Sequence, residues 1–272
     1  MKLEFGAKTY VMGILNVTPD SFSDGGIFYS SDAAIHHAAD MVDAGADIID
    51  IGAESTRPNF APVEREIELA RLKNIIPAVK KFGVPISIDT YKPEVAEFAL
   101  SQGADIINNV GGFDFDGLVI DDYYEARMVE LARKFDAPLI AMHHQKYFNH
   151  YDVIDDIRKF FQCTMNTFSG VQFIFDVGIG FGKLPEENLT VLKNLRELKK
   201  IDGVEIPLMI GVSRKSVIGY AARFEVDQRD EATGAICVLA IEQGVDIVRV
   251  HNVKMIERMC RMADVLVRGE LT

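Results

Sequence analysis

The chain has 272 residues, a length that suits one large α/β domain or two small ones. Its 48% hydrophobic and 26% charged residues are typical of a globular protein with a substantial buried core. The formal net charge of −12 argues against non-specific binding to nucleic acid or anionic membranes, yet it allows a local cationic cleft for a small anion. The start of the chain has no apolar signal-peptide core, and no apolar run is long enough to span a bilayer.

The cysteines indicate the redox state of the cellular compartment. Cys163, Cys237 and Cys260 are scattered along the chain and lack the spacing of metal ligands. An odd, isolated set of this kind predicts unpaired core thiols and a reducing, cytoplasmic environment.

Short apolar runs alternate with longer amphipathic segments throughout the chain. The runs predicted as β-strands are 10–17, 47–52, 85–89, 105–109, 138–144, 172–177, 207–212 and 246–252. The segments predicted as helices are 32–45, 63–83, 92–103, 125–135, 153–168, 185–200, 217–224, 231–244 and 253–267. Because nearly all-apolar strands are typical of a parallel sheet covered on both faces, eight such units predict a (β/α)₈ TIM barrel. We expect a single domain over residues 1–272, with a doubly wound open sheet as the structural alternative.

Three related segments support repeated strand–helix units. They read GADIIDIG at 45–52, GADIINNV at 103–110 and GVDIVRVH at 244–251. In each, the glycine is expected to end a helix and the aspartate to open the next strand, with polar residues toward the far end of the strand.

Polar residues follow or end nearly every predicted strand. They include Asn16, Glu54, Asp89, Asn108, His143, His144, Asp176, Ser213, Lys215, Arg249 and His251. In a (β/α)₈ barrel the carboxyl ends of all strands meet on one face, where such enzymes place their active sites. A single buried Asp or Asn is as readily a structural group, but polar residues at all eight strand ends favour an active site.

These polar residues divide into two chemical groups. Asp89, Asn108 and Asp176 are acceptor-rich and, with Lys215 as a donor, could recognise a flat heterocycle bearing N–H groups and a carbonyl. A second group of Asn16, Arg249 and His251 lies on the first and last strands, which are neighbours in a closed barrel, and is expected to bind an anion. A phosphorylated or pyrophosphorylated heterocycle would contact both groups.

Several local patterns have more than one interpretation. The stretch GVSRKSVIG at 211–219 predicts an anion site at a strand-to-helix turn, with a solvated helix cap as the alternative. GIGFGK at 178–183 lacks the spacing of a phosphate-binding loop and is expected to expose Phe181. Adjacent strand residues point to opposite sides, so at most one of His143 and His144 faces the site. Met255, Met259 and Met262 recur at helical spacing and are expected in the core, as for any amphipathic helix.

The motifs together carry a family resemblance. The strings MGILNVTPDSFSDGG, GAESTRP, SIDTYKPEVA, DIINNVGG, DVGIGFGK, GVSRKS and RVHNV occur in that order along essentially the full chain. In this respect the chain resembles the dihydropteroate synthase family of pterin-binding enzymes. The strings NVTPDSFSDGG and SRKS are specific to that pattern.

The resemblance implies a fold, a reaction and a cofactor. It implies a (β/α)₈ barrel that forms a homodimer and condenses 6-hydroxymethyl-7,8-dihydropterin pyrophosphate with p-aminobenzoate. The products are 7,8-dihydropteroate and pyrophosphate, and Mg²⁺ assists. This is a step of folate biosynthesis and a target of sulfonamides.

The resemblance also implies roles for individual residues. Asp89, Asn108, Asp176 and Lys215 match the pterin pocket of the family. Asn16, Thr56, Arg249 and His251 match its pyrophosphate-binding groups, with Asn16 near the metal. Phe22, Pro58, Phe181 and Ser216 match the surroundings of p-aminobenzoate, and Asp24 and Arg57 match two closing loops. We take Asp89, Lys215, Arg249 and His251 as the catalytic residues.

Some positions depart from the family pattern. Asn109, Val177 and Asn59 stand where Asp, Pro and Gly are common, and the segment after the fifth strand lacks the usual M-H-x-x-G-x-P. The rivals are a pterin-binding paralogue without synthase activity, a pterin-dependent methyltransferase and a Schiff-base lyase that uses Lys215. For the synthase we expect a dissociative, SN1-like loss of pyrophosphate.

Overall fold

The structure of the protein is a computed structural model that describes residues 3–18, 26–54, 62–111, 122–144 and 152–269. Within these ranges the side chains of residues 26–30 and 122–124 are not described.

Eight parallel strands close into a barrel. They are β1 (Tyr10–Asn16), β2 (Ile48–Gly52), β3 (Ile86–Asp89), β4 (Ile106–Asn109), β5 (Leu139–Met142), β6 (Phe173–Asp176), β7 (Leu208–Ile210) and β8 (Ile247–Val250). Each strand pairs with the next in sequence, and β8 pairs with β1. The predicted (β/α)₈ barrel is confirmed, and the open-sheet alternative is wrong because no edge strand is left among the eight.

Helices connect the strands around the outside. They are α1 (Gly26–Asp43), α2 (Arg65–Leu72), α3 (Ile75–Val79), α4 (Pro93–Ser101), α5 (Asp122–Phe135), α6 (Val153–Thr167), α7 (Pro185–Lys193), α8 (Leu195–Leu198), α9 (Ser216–Ala222), α10 (Asp230–Glu242) and α11 (Val253–Arg268). Two 3₁₀ turns, Lys80–Phe82 and Val226–Gln228, and a short ribbon of Lys200–Ile201 with Val204–Glu205 complete the described elements.

Two predicted helices are broken in the structure. The segment predicted as one helix at 63–83 divides into α2, α3 and a 3₁₀ turn, because Pro77 lacks the N–H that a continuous helix would need and crowds the preceding turn. The segment at 185–200 divides at Asn194, whose side-chain amide donates to the carbonyl of Thr190 at 2.7 Å. Such side-chain bonds to the backbone compete with helix continuation.

The strand residues alternate between the barrel interior and the helix layer. One interior layer is apolar and consists of Met12, Ile48, Ile106, Ile140, Ile174, Met209 and Ile247, with Leu3 packed against it. A larger apolar cluster lies between the strands and the helices. Because side chains on a strand point to one face at every second residue, the next interior positions along the strands are the polar ones, including Asp50, Asn108, Asp176 and Arg249. The polar site therefore rests on an apolar floor.

The three repeated half-motifs have a common structural role. In each, the aspartate that opens a strand accepts a hydrogen bond from a backbone N–H of the preceding strand in the barrel: Val11 to Asp47 at 2.8 Å, Ile86 to Asp105 at 2.9 Å and Leu208 to Asp246 at 2.8 Å. Lys8, Lys80 and Lys199, respectively, pair with the same carboxylates. The repeats thus fasten adjacent strands at the face opposite the polar ends.

Two expectations about buried side chains need correction. All three cysteines are free as predicted, but Cys163 is exposed on α6, so only Cys237 and Cys260 are core thiols. Met255 and Met259 pack against the core, whereas Met262 is 56% exposed on α11 because it falls on the outer face of that helix.

Among the described helices, none combines the length and apolar character that crossing a membrane would need.

Candidate active site

Strand register aligns four residues at the polar end of the barrel. Asn16 is opposite Gly52, Gly52 is opposite Asp89, and Asp89 is opposite Asn108, so these residues form one level across β1 to β4. A Cβ built on Gly52 would lie 3.6 Å from both Asn16 Oδ1 and Asp89 Oδ2. Glycine at this position therefore leaves open space between two predicted site residues.

Arg249 joins the two sides of this face. Its Nε donates to Asp50 Oδ2 and its second terminal nitrogen donates to Asp89 Oδ2, each at 2.6 Å. Asn108 also donates to Asp50 Oδ2, at 3.1 Å. Asp50 is fully buried and was missed in the sequence analysis, although its period-two spacing from Ile48 places it on the interior face.

Three side-chain oxygens of this network have no donor among the described residues. Oδ1 of Asp50, Asp89 and Asn108 is buried and has no hydrogen-bond partner among the described residues. Buried acceptors normally have a donor, so these oxygens mark places where the N–H groups of a ligand can bind. The prediction that Asp89 and Asn108 lie together on the barrel interior is confirmed.

Burial and charge act against each other at Asp89. Burial raises the pKa of its carboxyl group to about 7, while Arg249 opposes that shift and Asp50 adds to it. For Arg249, burial lowers the pKa of the guanidinium, but the carboxylates of Asp50 and Asp89 outweigh it and raise the pKa above the ordinary value. We infer an ionised Arg249 whose single charge is shared by two carboxylates.

Asp176 and Lys215 lie on the other side of the barrel. Asp176 Oδ1 accepts the backbone N–H of Gly178 at 2.8 Å, and burial raises the pKa of its carboxyl group. Lys215 donates to the carbonyl of Ile179, and its Nζ lies 4.7 Å from the ring centroid of Phe181. Burial lowers the pKa of Lys215 to about 8, with Asp176 opposing that shift.

Gly211 brings Lys215 and Arg249 to the same pocket. A Cβ at Gly211 would lie 3.8 Å from both Lys215 Nζ and Arg249 Cβ, so the two cationic side chains flank this glycine. The sequence motifs indicated different groups for Lys215 and Arg249. The structure instead places Arg249 against the carboxylates of Asp50 and Asp89, because its interior-facing position on β8 directs its side chain into the barrel.

His251 occupies the rim of the same face. Its Nδ1 lies 2.9 Å from the hydroxyl oxygen of Ser213, and its backbone N–H donates to that hydroxyl at 3.2 Å. Asn16 ends β1, the strand paired with β8. The predicted neighbourhood of the first and last strands is confirmed.

The GVSRKS stretch directs its side chains to different sides. Arg214 points away from the barrel and forms a two-pronged pair with Asp230, at 2.8 and 2.9 Å. Ser216 is exposed and begins α9. Five of the predicted site residues lie outside the described part of the chain: Phe22, Asp24, Thr56, Arg57 and Pro58.

The two adjacent histidines face opposite sides, as predicted. His143 is fully buried toward α6, with its ring 5.4 Å from that of Phe160 and its Nε2 3.4 Å from Asp156. Burial lowers the pKa of His143 to about 2. His144 packs edge-on against Phe181, with ring centroids 5.7 Å apart.

A buried ion cluster beside the site was also missed. Lys92 pairs with Glu54 Oε2 at 2.5 Å and with Glu68, and it also donates to the carbonyl of Val63. Burial raises the pKa of Glu68 to about 7, and Lys92 opposes that shift. The cluster joins the ends of β2 and β3 to α2, a long-range arrangement that sequence spacing does not indicate.

The geometry suits a flat, polar, hydrogen-bonding ligand with an anionic substituent. Acceptors from Asp89, Asn108 and Asp176 face a pocket whose donors are Lys215 and Arg249. Among the described residues no group of three or more His, Cys, Asp or Glu side chains could hold a metal ion. Asn16 supplies one amide oxygen at the rim, which fits Mg²⁺ because that ion is bound through few protein ligands together with waters and substrate phosphates.

Comparison with known proteins gives the family. The model of the pterin binding enzyme family matches residues 12–251. The dihydropteroate synthase of Clostridium beijerinckii is 42% identical over 98% of this chain and 97% of its own length. The crystal structure of Clostridium difficile dihydropteroate synthase in the presence of pteroic acid superposes with a TM-score of 0.88, at 44% identity over 98% of this chain and 100% of that one.

A second solved structure shows the same likeness at lower identity. The Xanthomonas albilineans dihydropteroate synthase with 4-aminobenzoic acid has a TM-score of 0.82 and is 33% identical, covering 95% of this chain and 93% of its own. The family motifs, the closed barrel and the full-length matches agree. The chain belongs to the dihydropteroate synthase family of pterin-binding enzymes.

Proposed function

We propose that the chain condenses 6-hydroxymethyl-7,8-dihydropterin pyrophosphate with p-aminobenzoate to form 7,8-dihydropteroate and pyrophosphate. The observation that carries the proposal is the buried set of acceptor oxygens on Asp89 and Asn108, held beside the guanidinium of Arg249. A pterin ring presents a row of N–H donors and a carbonyl, which complement these acceptors and Lys215.

In this proposal Asp89, Asn108 and Asp176 accept hydrogen bonds from the pterin, and Lys215 donates to its carbonyl. Arg249 pairs with Asp50 and Asp89 from one side of the pocket, and its positive charge opposes the rise that burial causes in the pKa of Asp89. Because this charged arrangement is formed before substrate binds, it needs little reorganisation during the reaction.

The leaving pyrophosphate needs positive charge near the rim. Arg249, His251 and Asn16 are proposed to bind it, together with Thr56, which lies outside the described residues. Mg²⁺ bound by the pyrophosphate and the Asn16 amide oxygen would supply charge neutralisation there. Arg249 touches both proposed subsites, since its terminal nitrogen already lies 2.6 Å from Asp89.

We propose a dissociative, SN1-like reaction. The bond between the exocyclic CH₂ carbon and the pyrophosphate oxygen breaks with its electron pair going to oxygen, and the carbon becomes a cation conjugated with the ring. Asp89 lies close to the ring and stabilises that positive charge in its ionised form. The aryl amine nitrogen then forms a bond to the carbon, and its proton passes to the released pyrophosphate. The step requires no covalent enzyme intermediate.

The p-aminobenzoate pocket is proposed to lie between Phe181 and the start of α9. Ser216 and backbone N–H groups there would bind the carboxylate, and the Phe181 ring would pack on the benzoate. Phe22 and Pro58 are proposed to complete the pocket, and Asp24 and Arg57 to close over it; all four lie outside the described residues.

We also propose that the chain forms a homodimer in the cytoplasm. Leu239 on α10 and Met262, Val265 and Leu266 on α11 are exposed, up to 74% for Leu266, and the two helices pack side by side. Exposed apolar side chains concentrated on neighbouring elements mark association surfaces. The free thiols agree with a reducing compartment.

An assay of both products tests the proposed reaction. The folded protein with Mg²⁺ and both substrates should form dihydropteroate, and omission of p-aminobenzoate should abolish that product. Folded protein with background activity would contradict the synthase and favour the non-catalytic paralogue. Methyl transfer to a corrinoid protein would instead indicate a methyltransferase, and trapping of a carbonyl substrate on Lys215 by borohydride would indicate a Schiff-base lyase.

A further inference from the structure

Lys183 ends the loop that follows β6, directly before the first turn of α7. Its ammonium donates to three backbone carbonyls: Gly178 at 3.0 Å, His143 at 3.2 Å and Phe181 at 3.4 Å. An ammonium group has three protons, so these carbonyls match its donor capacity. Two of the carbonyls belong to the loop and the third belongs to the residue after β5, so Lys183 connects two adjacent strand ends.

The two strand ends approach very closely at Gly178. This residue has φ +65°, and a Cβ built on it would lie only 2.1 Å from the carbonyl oxygen of His143 and 3.1 Å from Lys183 Nζ. Only glycine fits both the backbone conformation and the space. Lys183 therefore places N–H donors at a point where two partial negative charges, the carbonyls of His143 and Gly178, are held near each other. Burial lowers the pKa of Lys183 to about 7 at this point.

Other side chains hold the remaining polar groups of the same loop. Asp176 accepts the N–H of Gly178 at 2.8 Å, and Asn188 accepts the N–H of Gly180 at 2.7 Å. Lys215 donates to the carbonyl of Ile179. Side-chain contacts thus hold the loop in its conformation. Among the described residues, only Lys183 donates to the carbonyl of Phe181.

Phe181 is the aromatic side chain that this loop presents to the site. Its ring lies under Lys215 Nζ at 4.7 Å and packs edge-on against His144 at 5.7 Å. A shift of the Phe181 backbone would change both contacts. The pterin acceptors Asp89 and Asn108, by contrast, lie on β3 and β4 and have no contact with Lys183 among those described.

We propose that Lys183 is a positioning residue for the aryl-amine subsite: it holds Phe181 in place without touching either substrate. This inference rests on the proposed function, in which Phe181 packs on the benzoate. Loss of the ammonium leaves the carbonyl of Gly178 bonded only to the N–H of Phe181, at 3.1 Å, and removes the lysine donor from the carbonyls of His143 and Phe181. The Phe181 ring then samples positions that do not support the aryl amine. The pterin subsite is affected less, because β3 and β4 hold Asp89 and Asn108. The bonds that join Asp176 to Gly178 and Lys215 to Ile179 do not involve Lys183.

The test replaces Lys183 with methionine, which keeps a long apolar stem but has no donor. We expect Lys183→Met to raise the KM for p-aminobenzoate about tenfold, because small displacements of positioning groups have large effects. The kcat at saturating p-aminobenzoate, and the Kd of pterin pyrophosphate from calorimetry, should change by less than about twofold. Lys193→Met, at an exposed position on α7, is the matched control and should change neither.

A second readout does not depend on turnover. Amide hydrogen exchange at Gly180 and Phe181, whose N–H groups bond to Asn188 and to the carbonyl of Gly178, should become faster in Lys183→Met than in the wild type or the control. If the wild type has no synthase activity but this exchange still changes, the proposed function fails while the positioning role stands. If Lys183→Met does not fold, Lys183→Gln, which keeps two N–H donors, is measured in its place. The expected result is again a higher KM for p-aminobenzoate, with little change in kcat or in the Kd of pterin pyrophosphate.

Two results would overturn the proposal. One is an unchanged KM for p-aminobenzoate together with wild-type exchange at Gly180 and Phe181. The other is an equal loss of pterin and p-aminobenzoate binding, which would show a general structural role for Lys183.

Discussion

Asp50 on β2 and Arg249 on β8 form an ion pair inside the barrel, past the intervening strand β1, with 2.6 Å between Asp50 Oδ2 and Arg249 Nε, although 199 residues separate them in sequence. The same carboxylate oxygen accepts from Asn108 at 3.1 Å. Asp50 therefore orients two residues of the proposed pterin site, and it is itself fully buried beneath them.

Asp50→Asn should impair the reaction through these two neighbours. The variant removes a charge that Arg249 faces in a buried site, and breaking a buried charge pair costs several kcal/mol. We expect kcat/KM for pterin pyrophosphate to fall about 100-fold, as measured by steady-state kinetics. Asp43→Asn, at an exposed position on α1, is the control. Unchanged kinetics in Asp50→Asn would contradict the proposal that Asp50 orients Arg249.

Asp89 should give stability a specific pH dependence. Burial raises its pKa from 3.8 to about 7, so between these pH values the folded protein holds more protons at this carboxyl than the unfolded chain does. The free energy of unfolding should therefore fall as pH rises from about 4 to about 7 through this group. Asp89→Asn should flatten that fall in urea denaturation at a series of pH values.

The groups that face Asp89 are Arg249, Asp50, Glu68 and Lys215. Burial also raises the pKa of Glu68 to about 7, so Glu68→Gln is the necessary comparison. If Asp89→Asn leaves the pH dependence intact and Glu68→Gln removes it, the titration belongs to Glu68.

Substitutions of Lys215 and of His251 should impair the binding of different ligands. Lys215 contacts both the loop that carries Phe181 and the pocket of Asp176, so Lys215→Ala should weaken both substrates, by about tenfold or more each. His251→Ala should chiefly impair the handling of pyrophosphate, measured as weaker product inhibition by pyrophosphate. Equal effects of the two variants on all three ligands would contradict the division of subsites.

Gly178 should be intolerant of any side chain. Gly178→Ala adds both a positive-φ penalty and a clash with the carbonyl of His143, whose oxygen would lie 2.1 Å from the new Cβ. Gly203→Ala, at φ +84° with nothing within 4 Å of the new Cβ, measures the backbone penalty alone. We expect urea denaturation to show about 1 kcal/mol of destabilisation for Gly203→Ala and several for Gly178→Ala. Equal losses of stability in the two variants would mean that the close approach of Gly178 to the carbonyl of His143 relaxes.

The dimer proposal can be tested on α11. Leu266→Glu places a charge on a side chain that is 74% exposed, and it should convert a dimer to a monomer in sedimentation velocity. Val204→Glu, on the two-stranded ribbon and 55% exposed, should leave the assembly unchanged. A wild type that sediments as a monomer would reject the proposal directly.

The sequence predicted the eight strands because each is a short apolar run, and closure follows from their number and spacing. It also predicted Asp89, Asn108 and Asp176 as neighbours, since strand ends meet on one face. Asp50 was missed although alternation from Ile48 would have placed it inside the barrel. The contacts of Lys183 could not be predicted, because they join carbonyls from two loops that approach only in three dimensions.

The most direct test of the account is a single-turnover experiment with Mg²⁺, excess enzyme, limiting pterin pyrophosphate and saturating p-aminobenzoate. Quenched samples are analysed for dihydropteroate and pyrophosphate. The account predicts that the two products appear together in equal amounts, and that Asp89→Asn slows both. Pyrophosphate release without dihydropteroate, or neither product from folded protein, would contradict it.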